Sequence, residues 1–411
     1  MKKVAIRMGE WIKQNKTEFY VLLVILILGA FLRLWRIDEY MTFLGDEGRD
    51  VIVVRRFLVD GDIFLIGPGT SIGNMYLGPL YYYMMAPALW LGGYSPAAPA
   101  AMIALLGVVT IAFVWYAARE WFSREAGLVA AFLYAIAPTV IIYSRSSWNP
   151  NIMPFFSLLC IFAIWRVITT KKLFWLPILG VSYAFVLQSH YLGLLLAPTL
   201  VVFWLYSLHL FKKERRLKPF LLSTCYMLLV FAFLMSPLLV FDSRHEWRNF
   251  EAIKTFFLER QTTVSARPWN AIPEMWPLTQ EVSVRLLTGK NEFLGSWVAL
   301  ILAAGLVFVY KRKALPFTIL ATWLGFALLG LGLYKQEIYD HYYGFFFTAP
   351  FILLGGLASV LVSKAKIRGW WIVGTVLVFL AYFNFVDNPL GSPPNRLLQR
   401  SEEVARQEGV R

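Results

Sequence analysis

Long apolar runs, separated by short polar or basic segments, dominate the chain from Phe19 to Val386. Each run has roughly 17–25 residues, enough for a helix to cross a hydrocarbon core of roughly 30 Å. A membrane β-barrel would instead show segments of about 10 residues with alternating polarity, and these runs do not alternate. The pattern predicts an all-α, polytopic membrane protein with eleven transmembrane helices, at residues 19–35, 98–118, 126–143, 153–169, 173–190, 191–210, 219–241, 294–310, 314–334, 342–363 and 369–386.

The charge of the other loops decides whether one further apolar segment, residues 76–92, crosses the membrane. If it does not cross, every basic loop lies on the cytoplasmic side together with the basic N-terminus. If it crosses, those loops all move outside, against the positive-inside bias. The basic loops are Arg119 with Arg124, Lys171 with Lys172, Lys212–Lys218, Lys311–Lys313 and Lys364–Arg368. We therefore expect residues 76–92 to form an interfacial helix, whose tyrosines and prolines are typical of that position.

This topology predicts one membrane-embedded domain, residues 1–386, and a short external tail at 387–411. The first external loop spans residues 36–96, and a larger one at 242–293 is long enough for a small cap. The basic N-terminal stretch and the apolar run after it resemble a signal peptide, but Arg33 and its neighbours replace a small-residue cleavage site. We expect a retained anchor in the plasma membrane, with the N-terminus cytoplasmic and the varied polar residues on the outer face.

Composition narrows the class of protein further. The chain is 58% hydrophobic, and its net charge is +14. Lysine and arginine fall in short clusters between apolar runs. We therefore interpret this charge as a feature that orients the spans and contacts lipid headgroups, rather than as a nucleic-acid binding surface. The two cysteines, Cys160 and Cys225, lie inside apolar runs and form neither a disulfide framework nor a metal pattern.

The first external loop carries an unusual concentration of charge, which we call the acidic segment, residues 43–50. Asp46 and Glu47 are adjacent carboxylates next to a membrane span, followed closely by Arg49 and Asp50. Carboxylates beside lipid indicate a polar substrate, whereas a solvated loop is the simpler explanation. Residue type alone leaves both interpretations open.

The order of several short motifs resembles that of the GT-C fold glycosyltransferases. Phe43-Leu44-Gly45-Asp46-Glu47-Gly48-Arg49 is similar to their acidic motif, and Gly78-Pro79-Leu80-Tyr81-Tyr82-Tyr83 to their interfacial helix. A basic turn at 118–127 and Tyr143-Ser144-Arg145 follow in the same order. The pattern looks most like the bacterial branch of the dolichyl-phosphate-mannose–protein mannosyltransferase family (glycosyltransferase family 39), in a superfamily that includes the lipid A aminoarabinose transferases.

The resemblance implies an enzyme that moves a sugar from a polyprenyl-phosphate carrier to an acceptor outside the membrane. Asp46 matches the position of the catalytic base, which implies an inverting displacement, and a positioned base contributes roughly 10²–10⁴ in rate. Glu47 would orient the acceptor or hold a cation. The acceptor would be a protein, a lipid or a glycan, and membrane lipids would surround the enzyme. No cofactor is certain. A divalent cation bound by Asp46 and Glu47 is compatible with the sequence but has no further support.

The predicted substrate-binding side chains lie on the expected outer face. Arginine, tyrosine and histidine donors would stabilise the departing lipid phosphate. These candidates are Arg49, Tyr82, Tyr83, Arg145, His190, Tyr191, Asp340, His341 and Tyr342. Each also has a structural interpretation: an ion pair for Arg49, membrane-belt aromatics for the tyrosines, snorkelling for Arg145, and a helix terminus for His190.

Two observations leave alternatives open. Many relatives carry Lys-Pro-Pro or His-Pro-Pro before the tyrosines, whereas this chain has Leu77-Gly78-Pro79, which removes a polar group near the substrate. A transporter or carrier-lipid flippase is the second hypothesis; it would show ionisable groups inside spans or paired broken helices. A structural subunit of a glycan-building complex is the third, and it would tolerate loss of Asp46.

Overall fold

The computed structural model describes residues 9–70, 75–258, 263–265, 267–310 and 314–408, and this part of the chain is almost entirely helical. Sheet-like pairing within it is confined to two isolated bridges, Gly69 with Tyr76 and Val264 with Tyr334. The predicted all-α class is confirmed. We number the helices α1 (Lys16–Leu34), α2 (Ile37–Tyr40), α3 (Gly45–Asp60), α4 (Leu80–Leu91), α5 (Ala97–Trp121), α6 (Arg124–Ile136), α7 (Pro138–Tyr143), α8 (Met153–Thr170), α9 (Trp175–Ser189), α10 (Ala197–Lys213), α11 (Leu217–Arg244), α12 (Arg248–Leu258), α13 (Ile272–Leu287), α14 (Glu292–Tyr310), α15 (Leu315–Gly332), α16 (Thr348–Val386) and α17 (Leu397–Gln407).

The helices confirm a multi-pass membrane protein but not the count of eleven spans. Among the described residues, seven helices are long and apolar enough to cross a membrane, or eight with the pair α13 and α14, which is bent by 114°. Helix α9 is apolar but has only 15 residues. The predicted span 126–143 is divided between α6 and α7, where Pro138 starts a new helix. The predicted spans 342–363 and 369–386 fall largely in α16, which starts at Thr348 and breaks at Lys366 with a φ of 49°.

Small residues allow the central helices to approach closely. Helices α6 and α16 pack along one side of the core, and a Cβ added at Gly355 would lie 2.4 Å from the carbonyl oxygen of Ala126. A Cβ at Gly180 would likewise lie 2.4 Å from the carbonyl oxygen of Met227, where α9 meets α11. Such contacts bring helices together in lipid, where packing rather than water exclusion holds them. In contrast, α11 is largely exposed on its sides, as expected for a lipid-facing helix.

Helix α4 corresponds to the predicted interfacial segment. It has 12 residues and contains Pro87, so its length of about 18 Å is well short of a hydrocarbon core. Its buried side consists of Tyr81, Tyr82, Met85 and Leu89, which pack against α3 and α5. The length and packing of α4 fit a helix that lies across the end of the bundle rather than through it.

The segments predicted to share the outer face do meet at one end of the bundle. The amide of Tyr76, in the first loop, donates to the Asn249 side chain in the 242–293 segment at 2.7 Å. The tail joins this end too, because the Tyr40 hydroxyl donates to the carbonyl of Ser392 at 3.0 Å. Near the start of α1, Glu18 pairs with Arg119 at 2.7 Å, which places the N-terminal region beside a basic loop. The side of the membrane on which each group lies stays a prediction.

Candidate functional site

The acidic segment is not a loop throughout, because most of it forms the first turns of α3. The carboxylate of Glu47 accepts from the backbone amide of Leu44 at 3.0 Å, which caps the start of the helix. Its other oxygen accepts from the hydroxyl of Ser146 at 2.6 Å, and Glu47 is buried. Both oxygens are therefore engaged inside the protein. The structure places Glu47 where it fixes the acidic segment, not where an acceptor would contact it.

Asp46, in contrast, is half exposed and sits at the positive end of the α3 dipole, which favours a carboxylate there. Its one described partner is the Arg49 Nη1 atom, 2.8 Å away. Arg49 also donates from Nε and Nη2 to Asp50, at 3.0 and 2.7 Å. The hydroxyl of Tyr82 donates to the same Asp50 oxygen at 2.9 Å. A continuous chain of contacts thus links the interfacial helix to Asp46.

Asp50 is the least expected member of this chain. Its side chain is fully buried, and its Oδ2 atom has no hydrogen-bond partner. Burial raises the pKa of Asp50 to about 6, although the charge of Arg49 acts in the opposite direction. The sequence suggested a structural pair between Arg49 and Asp50, and the structure shows this contact together with the second one to Asp46.

The tyrosines of α4 point their hydroxyls into the protein. Tyr82 is bonded to Asp50, and Tyr83 donates to the carbonyl of Phe64 at 2.9 Å. Tyr81, which the sequence analysis did not single out, shares a hydrogen bond of 2.8 Å with Ser147. All three hydroxyls have protein partners. This arrangement holds α4 against the acidic segment, and the predicted phosphate contact of Tyr82 and Tyr83 stays a prediction.

Packing explains why position 78 is a glycine, where many relatives carry proline. A Cβ at Gly78 would lie 2.1 Å from the side-chain oxygen of Gln188. That oxygen accepts from the amide of Leu80 at 3.2 Å, and the Gln188 amide donates to the carbonyl of Leu234 at 2.9 Å. Gln188 thus ties the start of α4 to α9 and α11. It supplies a polar group beside the tyrosines that the motif itself lacks.

Arg145 binds the backbone near the end of α1. It is buried, and it donates to the carbonyls of Leu32, Trp35 and Arg36 at 2.9, 2.7 and 3.3 Å. These oxygens belong to the C-terminal end of α1, where carbonyls lack partners within the helix. The pKa of Arg145 is lowered to about 10, chiefly by burial. The structure favours a helix-capping position over the predicted phosphate contact.

Four predicted residues come together in what we call the histidine cluster: His190, Tyr191, His341 and Tyr342. The two imidazole rings lie 5.6 Å apart, and the ring of Tyr342 is 5.2 Å from His190. Trp148 joins them, with its ring 4.5 Å from that of His341. The cluster connects segments that are 150 residues apart in sequence.

Both histidines are neutral near pH 7. Burial, with a smaller contribution from the neighbouring His341, lowers the pKa of His190 to about 3. Its Nδ1 accepts from the amide of Leu192 at 3.2 Å, so the ring is left to donate through Nε2. Burial lowers the pKa of His341 to about 4, against the opposing influence of the Asp46 charge. Asp46 therefore lies close enough to the histidine cluster for its charge to act on His341.

Asp340 lies at the edge of the histidine cluster, next to His341 in the sequence. It is 3.7 Å from Arg285, which also pairs with Glu281 at 2.7 Å. Burial raises the pKa of Asp340, while the charges of Arg285 and Lys290 oppose that rise. The sequence analysis did not name Arg285, because a lone arginine on an external helix resembles any solvated charge. Its place beside Asp340 depends on how α13 folds back over the bundle.

An apolar groove of about 370 Å³ lies between three helices of the bundle. Helices α9, α10 and α11 line it with Gly180, Tyr183, Leu200 and Phe231, among others. Tyr183 precedes His190 by two helical turns, about 10 Å along α9. The groove and the cluster are therefore consecutive along one helix.

The residues present do not fit a divalent cation. Among the described residues, no group of three or more His, Cys, Asp or Glu side chains could hold a metal ion. Glu47 is turned towards Ser146, and the guanidinium of Arg49 occupies the place beside Asp46 where a cation would balance the charge. A single half-exposed carboxylate is a poor site for an ion that takes six or more oxygens.

Comparison with known proteins confirms the resemblance at the level of fold. Residues 77–241 match the family model described as dolichyl-phosphate-mannose-protein mannosyltransferase. No curated protein matches the chain. The archaeal oligosaccharyltransferase AglB from Archaeoglobus fulgidus, solved with an inhibitory peptide and a dolichol-phosphate, is 14% identical with a TM-score of 0.61. That alignment covers 94% of this chain and 57% of AglB, so the chain spans somewhat over half the length of that enzyme.

ArnT from Cupriavidus metallidurans, bound to undecaprenyl phosphate, is 15% identical with a TM-score of 0.59. The alignment covers 96% of this chain and 78% of ArnT. The structure of ArnT in the apo state gives a TM-score of 0.58 at 16% identity, over 88% of this chain and 62% of that one. The protein therefore has the GT-C fold of membrane glycosyltransferases.

Proposed function

We propose that this protein is a membrane glycosyltransferase, which moves a sugar from a polyprenyl-phosphate donor to an acceptor on the outer face of the cytoplasmic membrane. The observation that carries the proposal is the position of Asp46. It is a half-exposed carboxylate at a helix N-terminus that borders the histidine cluster. The apolar groove along α9 suits the tail of a lipid carrier. AglB and ArnT were solved with dolichol-phosphate and undecaprenyl phosphate, which supports a donor of this class.

The proposed reaction is an inverting displacement at the anomeric carbon. Asp46 removes the proton from an acceptor hydroxyl, whose oxygen bonds to the anomeric carbon as the bond from that carbon to the phosphate oxygen breaks. The polyprenyl phosphate leaves with the bonding electrons, and the proton on Asp46 passes to water. The neutral histidines and Tyr342 would donate hydrogen bonds to the departing phosphate without needing to be charged.

The supporting residues have separate tasks in this proposal. Arg49 holds Asp46 and balances its charge until an acceptor is bound. Glu47 and Asp50 fix the acidic segment from inside the protein. Arg145 holds the end of α1, from which that segment continues. No step passes through a metal ion.

Replacing Asp46 with asparagine tests the proposal. Purified protein in liposomes is given a labelled polyprenyl-phosphate sugar and cell-envelope extract as acceptor, and transfer is followed by mass spectrometry. We expect transfer by Asp46→Asn to fall roughly 10²–10⁴-fold, because a general base contributes about that much. Asp60→Asn, an exposed carboxylate at the other end of the same helix, should keep the wild-type rate. Equal transfer by both variants would contradict the proposal, as would movement of the donor across the bilayer without any transfer.

A further inference from the structure

A second cavity lies beside the candidate site, and neither the motifs nor the proposed reaction accounts for it. This polar cleft has a volume of about 600 Å³ and is formed by α13, the segment that follows α15, and the 3₁₀ turn Asp340–Phe346. Its polar side chains include Ser265, Asn270, Glu274, Glu281, Lys335, Gln336 and Tyr343. The apolar groove along α9 has no comparable set. A cleft of this size is in the range, roughly 300–1,000 Å³, that holds small organic ligands.

The cleft and the candidate site share a wall. Glu281 lines the cleft and is bonded to Arg285, which in turn contacts Asp340 next to the histidine cluster. The ring of Tyr334, also in the cleft, lies 5.9 Å from that of Tyr342. The cleft therefore adjoins the histidine cluster, whose His341 is within reach of the Asp46 charge.

Tyr343 brings to the cleft a hydrogen-bonding group that the described part of the protein does not use. Its side chain is fully buried, yet its hydroxyl has no hydrogen-bond partner in the part of the chain that the structure describes. Buried hydroxyls normally have partners, and leaving one without a partner costs about 1–3 kcal/mol. Burial and the nearby carboxylates raise the pKa of Tyr343, so the hydroxyl stays protonated and can donate.

The chemistry of the lining selects the kind of ligand. The carboxylates of Glu274 and Glu281 outnumber the one cationic side chain of the lining, Lys335, so the cleft does not favour a phosphate. At seven residues, about 10 Å along the helix, the two carboxylates are too far apart to hold one cation. A basic peptide would need acceptors, whereas Asn270, Gln336 and Tyr343 also offer donors. Hydroxyl groups both donate and accept, and tyrosine rings present flat apolar faces. A polyhydroxylated ligand matches this combination.

We propose that the polar cleft binds a neutral glycan, namely the part of the acceptor that lies beyond the hydroxyl receiving the sugar. The assignment to the acceptor rests on the proposed glycosyl transfer. Glycan binding itself is a separate property and can be measured on protein that carries out no reaction.

The test measures binding of four probes to the full chain in detergent by saturation-transfer NMR. The probes are maltotetraose, cellotetraose, mannotriose and chitotetraose. We expect at least one to bind, and its dissociation constant to rise about three- to tenfold in Tyr343→Phe, the change that the loss of one neutral hydrogen bond gives. Glu274→Gln, an exposed position that should not affect folding, is expected to weaken the same probe.

Two controls separate this proposal from the proposed reaction. Asp46→Asn should lose transfer but bind the probe as the wild type does. Glu251→Gln, which alters an exposed ion pair on α12, should change neither. The proposal is overturned if none of the four probes binds, or if Tyr343→Phe and Glu274→Gln bind as tightly as the wild type. Competition for the cleft by trilysine but by no oligosaccharide would overturn it as well.

Discussion

The buried carboxylate of Asp50 leads to a prediction about stability and pH. Its Oδ1 atom accepts three hydrogen bonds, two from Arg49 and one from Tyr82, while Oδ2 accepts none. Burial raises the pKa of this group from 3.8 to about 6 even though Arg49 is beside it. The charged form is therefore less favourable in the folded protein than in the unfolded chain, and the neutral form is more favourable.

The sign and size of the effect follow from proton linkage. Between pH 4 and 6 the folded state binds the Asp50 proton more tightly than the unfolded state does. The contribution of this group to stability is thus fully present below pH 4 and is lost as the pH rises through 6. Integrated over that window, the loss is about 3 kcal/mol. Asparagine has nearly the same shape and no charge, so Asp50→Asn should match the wild type at pH 4 and exceed it by up to about 3 kcal/mol at pH 7.5.

Thermal unfolding of purified protein, followed by the fluorescence of its 16 tryptophans, measures this difference at both pH values. Asp60→Asn is the matched control on the same helix, and its exposed side chain should give no pH-dependent difference. The reasoning is refuted if Asp50→Asn is less stable than the wild type by the same amount at both pH values. That result would mean that the ionised pair with Arg49 stabilises the fold.

Two further predictions concern positions that support the site. Gly78→Ala should lower the unfolding midpoint and reduce transfer severalfold, because the added Cβ would displace Gln188 from α4. Gly391→Ala, where an added Cβ meets nothing within 4 Å, should change neither property. Equal behaviour of the two variants would contradict the assigned role of Gln188. Arg145→Met should lower the unfolding midpoint by freeing three carbonyls, of which that of Leu32 is buried, with little change in the donor KM of the remaining active protein. A raised donor KM with an unchanged midpoint would instead support the predicted phosphate contact. Arg244→Met, at an exposed position, is its control.

The class of fold could be predicted because it depends on properties that accumulate along the chain. Apolar runs of membrane length require helices, since a backbone in lipid must satisfy its own hydrogen bonds. The non-crossing assignment of residues 76–92 came from summed loop charges, and the helix observed there is too short to cross. The number of spans could not be predicted in the same way as the class of fold. Pro138 and Lys366 divide or join helices in ways that hydropathy does not register.

Individual roles at the site were harder to predict, because they depend on which way a side chain points. Asp46 and Glu47 are neighbours of the same chemical type, yet α3 turns the first outward and the second towards Ser146. Arg145 lies in a motif that resembles those of the family, but the end of α1 occupies its donors. The pairing of Asp50 with Arg49 was suggested by the sequence, but its burial was not, and Gln188 gave no signal, because an amide in an apolar run has many ordinary explanations.

The sequence by itself determined that this is an all-α membrane protein, and it identified the acidic segment and the polar residues that gather with it at one end. Those features follow from hydrophobicity and charge, which add up residue by residue. Only the tertiary structure decided that Asp46 stays half exposed, that Arg49 links it to a buried Asp50, and that a polar cleft adjoins the histidine cluster. Each of these depends on contacts between segments far apart in the chain, where exposure and partners are set by packing.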